Sequence, residues 1–485
     1  MRRALSWLAC LIAVALVGAA CGGGEEQAEV GVTTTAPVAT EAPDPTMEDQ
    51  PAVMDAPTAT EESGVTAEAP ATTMEAPALQ IATDVGVDLE SGVIKVGMLA
   101  DLTGIFGPVI SLVTAGVDAF WKDVNARGGV HGLQVELVYR DTVYSVDNHV
   151  QFYEELKDEV VAFGHSTGSP HTVAILEDLA EDGILAIPLT WYSGWSDPAM
   201  NSNLLPHGTP YCIEAMNMIG YLSDVAKGNG VAGPTLALAT FPGDYGFDSA
   251  AGAKIAAETL GLEVVYDGSG KVLPGQDNSA VGIAIAQSGA DIVWVAASPT
   301  VLAEIYGAAL AGGFQAMWAG PPANWNPALV APNSPLKDAL ARDYYGPAYF
   351  PPYSDDTPGM ANVRDVMDRY APDAPKSTYL VEGFIEGFLM LRTLEIAYAA
   401  GDLTQAGVLA AAKSIEELDF DGVAPTERYT GEPNDIVQRT IWIGRADPQA
   451  LAEGIDVTGI RTIESSYTHP VAADYVFEGA CYKLS

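Results

Sequence analysis

Basic residues are few in this chain: 22 Lys and Arg stand against 64 Asp and Glu, a formal net charge of −42 over 485 residues. Phosphate backbones are held by clustered Lys and Arg, so this balance excludes a nucleic-acid partner. Cysteine is scarcer, with four in all, and histidine numbers six. The histidines (131, 149, 165, 171, 207 and 469) never share one helix face with a second His or Cys at ligand spacing. No metal site and no cofactor are therefore expected.

What is present begins with Met1-Arg2-Arg3 and the uncharged run Ala4 to Ala20, the pattern of a secretory signal. Ala19-Ala20-Cys21 is similar to the end of a lipoprotein cleavage site, in which Cys21 becomes the lipidated first residue. Gly18 stands where such sites usually carry Leu. The run is short for a helix that must cross the hydrocarbon core, and an uncleaved anchor is the alternative. Residues 22–92 turn to Ala, Thr, Pro and Glu, and no Lys or Arg falls between Ala4 and Ile94. Such a stretch buries too little apolar surface to offset its ordering entropy and reads as a disordered tether. As a coil it would reach on the order of 45 Å. The expected location is extracytoplasmic, on the outer face of the cell membrane through the lipid at Cys21.

From Val93 the pattern changes. Val93 to Leu99 is a short apolar run with β-branched residues and reads as a buried strand. Asp101 to Gly107 (DLTGIFG) is a turn. Val113, Val117, Phe120 and Val124 then fall on one face of a helix that Gly128 and Gly129 end. Leu133 to Tyr139 completes a strand–helix–strand unit with parallel strands. The alternation continues through Glu159–Phe163 and Ile184–Pro188, and a second series starts at Thr235. The remaining roughly 390 residues are too many for one average core. The fold class read from this is α/β, with two doubly wound parallel-sheet lobes. Gly320 to Tyr353 is proline-rich and reads as a rigid crossing, and Thr378 to Ala400 is a long helix read as core.

The order D-L-T-G, V-N-A-R-G-G-V-H-G and Y-R-D after successive elements resembles the opening of type I solute-binding proteins of the leucine/isoleucine/valine-binding family, the extracytoplasmic receptors of ABC importers. The resemblance runs to about Asp447. It implies lobes joined by a three-crossing hinge: 93–212 and 348–438 in lobe 1, 213–347 and 439–485 in lobe 2. It implies no enzyme activity, a small-molecule solute, and the permease subunits of an importer as partners. It also places Cys212 at the first crossing, so a Cys212–Cys481 disulfide would tie the tail to the hinge side, and two unpaired thiols are the alternative. A receptor-type sensory domain is a further reading of the same domain.

Ligands of open α/β sheets bind outside the carboxyl ends of the strands. The candidates are therefore Thr103 and Phe106 in the first turn, and Gly164 to His171 in the second. By the resemblance, Ser169 takes the place of the serine that holds a ligand carboxylate, with Thr167 as the alternative. The same argument carries over Thr190, Trp191 and Tyr192, then Tyr245 and Ser298 from the second lobe. Pro322 stands where amino-acid binders carry a glutamate for the ligand ammonium. A buried ammonium without a partner is costly, so a simple branched-chain amino acid is not expected. Rings at Phe106, Trp191, Tyr192, Trp195, Tyr245 and Trp325 suit a flat or apolar ligand body, such as an aromatic or short-chain carboxylate or an amide.

One enzyme motif competes. Gly164-His165-Ser166-Thr167-Gly168 matches the G-x-S-x-G of a serine hydrolase, with Asp197, Asp291 and His469 as possible triad partners. Only two strands precede Ser166 in the folded part, fewer than a hydrolase sheet lays down before its nucleophile.

Overall fold

The computed structural model describes residues 80–454 and 456–484. The signal, Cys21 and the tether as far as residue 79 lie outside the described residues.

The first sheet is laid down by strand–helix alternation. Strand β1 (Val93–Ala100) leads into helix α1 (Gly107–Ala126), then β2 (Gln134–Asp141), α2 (Val146–Leu156), β3 (Ala162–Thr167), the short helices α3 (Ser169–Ala174) and α4 (Leu176–Asp182), and β4 (Ala186–Leu189). The order is β2-β1-β3-β4, all parallel. Helix α1 buries Val113, Val117, Phe120 and Val124, the stripe its spacing predicts. Strand β3 begins and ends later than its sequence pattern suggests, so Ser166 and Thr167 lie in the sheet and the turn is confined to Gly168. The folded body also starts earlier than residue 93. Ala82–Thr83 pairs with Asp402–Leu403, and Val87–Asp88 runs antiparallel to β1.

The chain then builds a second sheet through α5 (Tyr211–Gly228), β5 (Thr235–Thr240), α6 (Asp244–Leu260), β6 (Glu263–Gly268), α7 (Ser279–Ser288), β7 (Ile292–Ala296), α8 (Pro299–Ala311), β8 (Met317–Ala319) and β9 (Tyr344–Ala348). Strand β9 sits inside the proline-rich stretch read as a crossing, because Tyr344 and Tyr345 pair in parallel with Trp318 and Ala319. The chain returns to the first sheet as α9 (Pro358–Tyr370), α10 (Thr378–Ala400) and α11 (Gln405–Lys413), and ends in the second with β10 (Ile441–Ala446) and β11 (Ile460–Tyr467). The second sheet reads β6-β5-β7-β8-β9-β10-β11, with β10 and β11 antiparallel.

Helix α10 packs along α1 over the first sheet. Cys212, at the start of α5, is disulfide-bonded to Cys481 with their Cα atoms 6.4 Å apart. The tail is further held where the Cys481 amide donates to Ser193 Oγ (2.9 Å) and the Tyr482 amide to Asp248 Oδ1 (3.3 Å).

Candidate functional site

The carboxyl ends of β1, β3 and β4 face elements of the second sheet across a cavity of about 120 Å³. Its shape is set by loops folded around two carboxylates, the buried Asp101 and the half-buried Asp141. Asp101 accepts from the amides of Gly104 (2.6 Å) and Phe106 (2.9 Å), curling the first turn so that the Phe106 ring borders the cavity. Burial pushes the Asp101 pKa up against those amide bonds. Asp141, at the end of β2, receives the Leu102 amide (2.9 Å) and the Thr103 hydroxyl (2.6 Å). Thr103 is thereby committed to a structural bond on an exposed turn and does not reach the cavity.

The second turn depends on Gly168, whose φ of 97° only glycine adopts without strain. It directs the chain from Thr167 into Ser169, and both side chains border the cavity. Ser169 Oγ is hydrogen-bonded to Thr190 Oγ1, which lies 3.5 Å from the Tyr211 hydroxyl. These three buried hydroxyls form one polar station. Thr167 Oγ1 is 2.6 Å from His165 Nε2, and His165 Nδ1 is 2.9 Å from Glu386 Oε2 on α10, so a buried relay orients the Thr167 hydroxyl.

The rest of the wall is mainly apolar. Ile110 and Val113 come from α1, Leu189 from β4, and Trp191 stands 4.7 Å from the Tyr349 ring and 6.0 Å from that of Tyr211. From the other side come Tyr245, Pro322 and Trp325. Tyr245 packs on Tyr211 (4.9 Å) and donates to the Ala297 carbonyl (3.1 Å). Contacts between the lobes here include the Tyr379 hydroxyl, 3.1 Å from the Trp325 carbonyl, and Asp456, which accepts from Thr378.

Of the residues singled out in the sequence, Phe106, Thr167, Ser169, Trp191 and Tyr245 border the cavity and Thr190 supports it, whereas Tyr192, Ser298, Trp195 and Thr103 do not. The backbone turns after Trp191, so Tyr192 points into the first lobe, packs on Trp195 (5.1 Å) and donates to the Tyr482 carbonyl (2.6 Å). Ser298 is the residue before α8 and its carbonyl takes the Leu302 amide (2.9 Å). Sequence reasoning missed Tyr211, Tyr349 and Glu382. The last left a visible signal, since Glu382 and Glu386 sit four apart among the apolar residues of the first half of α10.

The hydrolase reading fails on geometry. Ser166 lies within β3, fully buried, and bonds His149 Nε2 (3.1 Å) and Thr172 Oγ1 (2.8 Å), so it does not stand on an exposed turn. Asp291 is occupied by Thr235 at the opposite, amino end of β7, and His469 caps the helix Pro470–Asp474.

Two lobes, each built on a mainly parallel sheet, thus meet across a cavity at their strand ends. A family model described as periplasmic binding protein matches residues 93–451, and the chain belongs to that family. Among solved structures, the fatty acid ABC transporter substrate-binding protein from Thermomonospora curvata is 27% identical over 82% of this chain and 98% of that one, with a TM-score of 0.73. A branched-chain amino acid ABC transporter from Thermus thermophilus with bound valine is 20% identical over 79% and 98%, with a TM-score of 0.64. The branched-chain amino acid transporter substrate-binding protein from Streptococcus pneumoniae, in complex with isoleucine, is 15% identical over 77% and 99%, at 0.60. At these identities the last two show the fold alone. No curated protein matches the chain. Among the described residues no helix is long and apolar enough to cross a membrane.

Proposed function

We propose that this chain is the extracytoplasmic substrate-binding lipoprotein of an ABC importer, tethered through Cys21, and that it captures a small organic acid or amide with an apolar body. The observation that carries this is the pairing, in one cavity, of the Ser169–Thr190–Tyr211 hydroxyl station with walls of Phe106, Ile110, Val113 and Trp191. The hydroxyls and the amides beside Gly168 suit a carboxylate or carbonyl oxygen, and the walls suit hydrocarbon or a ring. At about 10–15 Å³ of accessible space for each water-sized group, 120 Å³ accommodates roughly ten non-hydrogen atoms.

Pro322 borders this cavity, so a carboxylate for an α-ammonium is missing from that wall. The Thermomonospora relative is named for a fatty acid, which agrees with an acid head and an apolar body. Ligand contacts from both lobes favour the closed form, and differential affinity for that form is the whole of the mechanism. The closed form then docks on the permease. Thermal-shift screening of residues 80–485 against carboxylates of four to ten carbons, aromatic acids, amides and amino acids tests the reading. A melting-temperature rise with an acid or amide is expected. A rise with leucine or valine alone would overturn the choice of solute.

A further inference from the structure

Glu382 borders the cavity, is 5% exposed, and its carboxyl makes no hydrogen bond to any described residue. His207 Nδ1 lies 3.4 Å from Oε1 without hydrogen-bond alignment. Glu214, Asp244 and Glu386 also keep carboxyl oxygens without a partner, but none of the three borders the cavity, and the other acids at this end are bonded. Glu386 has His165, Glu427 has the Gly208 amide (2.8 Å) and the Tyr429 hydroxyl (3.2 Å), and Asp456 has Thr378 and the Thr458 amide. Among the described residues that line the cavity, none is Lys or Arg. A buried carboxyl without partners carries its full desolvation cost, and the cavity is the side from which a partner has room to come.

We infer that Glu382 is a second recognition point, taking an N–H or O–H donor of the solute, so that the solute is a bifunctional molecule with an oxygen head at Ser169 and Thr190 and a donor at Glu382. This rests on the binding reading above and narrows it, from any apolar acid to a hydroxy, amide or amino acid whose donor is remote from its head. Trp191 borders both stations, its ring 6.0 Å from that of Tyr211 and 6.1 Å from that of His207. The donor is therefore met from α10 and not from the Pro322 wall. Burial, then the neighbouring Glu386 and Glu427, push the Glu382 pKa well up. That direction favours the neutral acid, able to accept and donate, beside a hydroxyl or amide, whereas an ammonium would favour the carboxylate.

The test is calorimetric titration with carboxylates of four to eight carbons, each as the plain acid, the ω-hydroxy acid and the ω-amino acid, against wild type, Glu382→Leu and Glu382→Gln. At one chain length an ω-substituted acid should bind wild type at least tenfold tighter than the plain acid. Glu382→Leu should erase that preference, while Glu382→Gln should keep it for the hydroxyl and lose it for the ammonium. Plain acids binding as tightly as their ω-substituted forms, or a preference that survives in both variants, overturn the inference and leave the binding reading standing. If no acid in the series binds wild type, both fall. Should Glu382→Leu not fold, the hydroxyl and ammonium arms in Glu382→Gln still decide.

Discussion

Gly383 on α10 faces Gly116 on α1, and a Cβ on Gly383 would come to 3.0 Å from the Gly116 carbonyl carbon and closer still to the Val113 oxygen. The reverse also holds, since a Cβ on Gly116 would meet the Leu380 backbone. Two helices approach at their backbones here, and that approach brings Glu382 and Tyr379 to the cavity. Gly383→Ala should force the helices apart and cost about 1–3 kcal/mol, the range for overpacking a tight core. Urea unfolding would show it, and an unchanged midpoint would mean that the helices yield without strain.

The hydroxyl station makes a sharper demand. Ser169→Ala and Thr190→Ala each remove one of two hydrogen-bonded hydroxyls, and each should weaken an acid or amide ligand by roughly tenfold, about 1.4 kcal/mol. Equal affinity in both variants, measured by calorimetry, would place the ligand head elsewhere.

Three buried carboxyls should each contribute stability on mild acidification. Burial pushes the carboxyls of Glu427 and Asp248 up to about 7 and that of Asp244 up to about 6. Each binds its proton more tightly in the folded chain than in the unfolded one, so between about pH 4 and pH 7 the folded state loses stability as pH rises. The buried His149 and His207, pushed down to about 3, oppose this as pH falls, so the test compares the change in urea midpoint between pH 5 and pH 7.5 in wild type and in Glu427→Gln. Glu427→Gln should flatten that slope by up to roughly 3 kcal/mol. A pH dependence that Glu427→Gln leaves unchanged contradicts the assignment.

The Cys212–Cys481 bond spans 269 residues. Loop-closure entropy for a ring of that size is worth roughly 5 kcal/mol in the unfolded chain. Cys212→Ser, or reduction, should lower the thermal midpoint by several degrees and free the tail from Ser193 and Asp248. Limited proteolysis from the C-terminus would read out the second effect.

If Cys21 carries the lipid, Cys21→Ala should shift the protein from the membrane fraction, either into the medium or into an uncleaved precursor. Retention of a mature-sized, detergent-requiring form would remove the lipid from this account.

Local pattern determined a great deal of this protein. The β–α alternation from Val93, the stripe on α1 and the extent of α10 follow from hydrophobic period, because each element buries one face whatever it packs against. Topology pointed only to the strand ends, and Pro322 and Ser169 were singled out there through the family resemblance; both border the cavity. What only the tertiary structure decided is which side chains at those ends reach the cavity. Thr103 is taken by Asp141, 38 residues away, Tyr192 by the tail at Tyr482, and Thr167 is aimed by Glu386 through His165. Such bonds join residues that periodicity treats as unrelated. A turn's amino acids determine that it turns, but where its side chains point depends on partners that only the folded chain brings near.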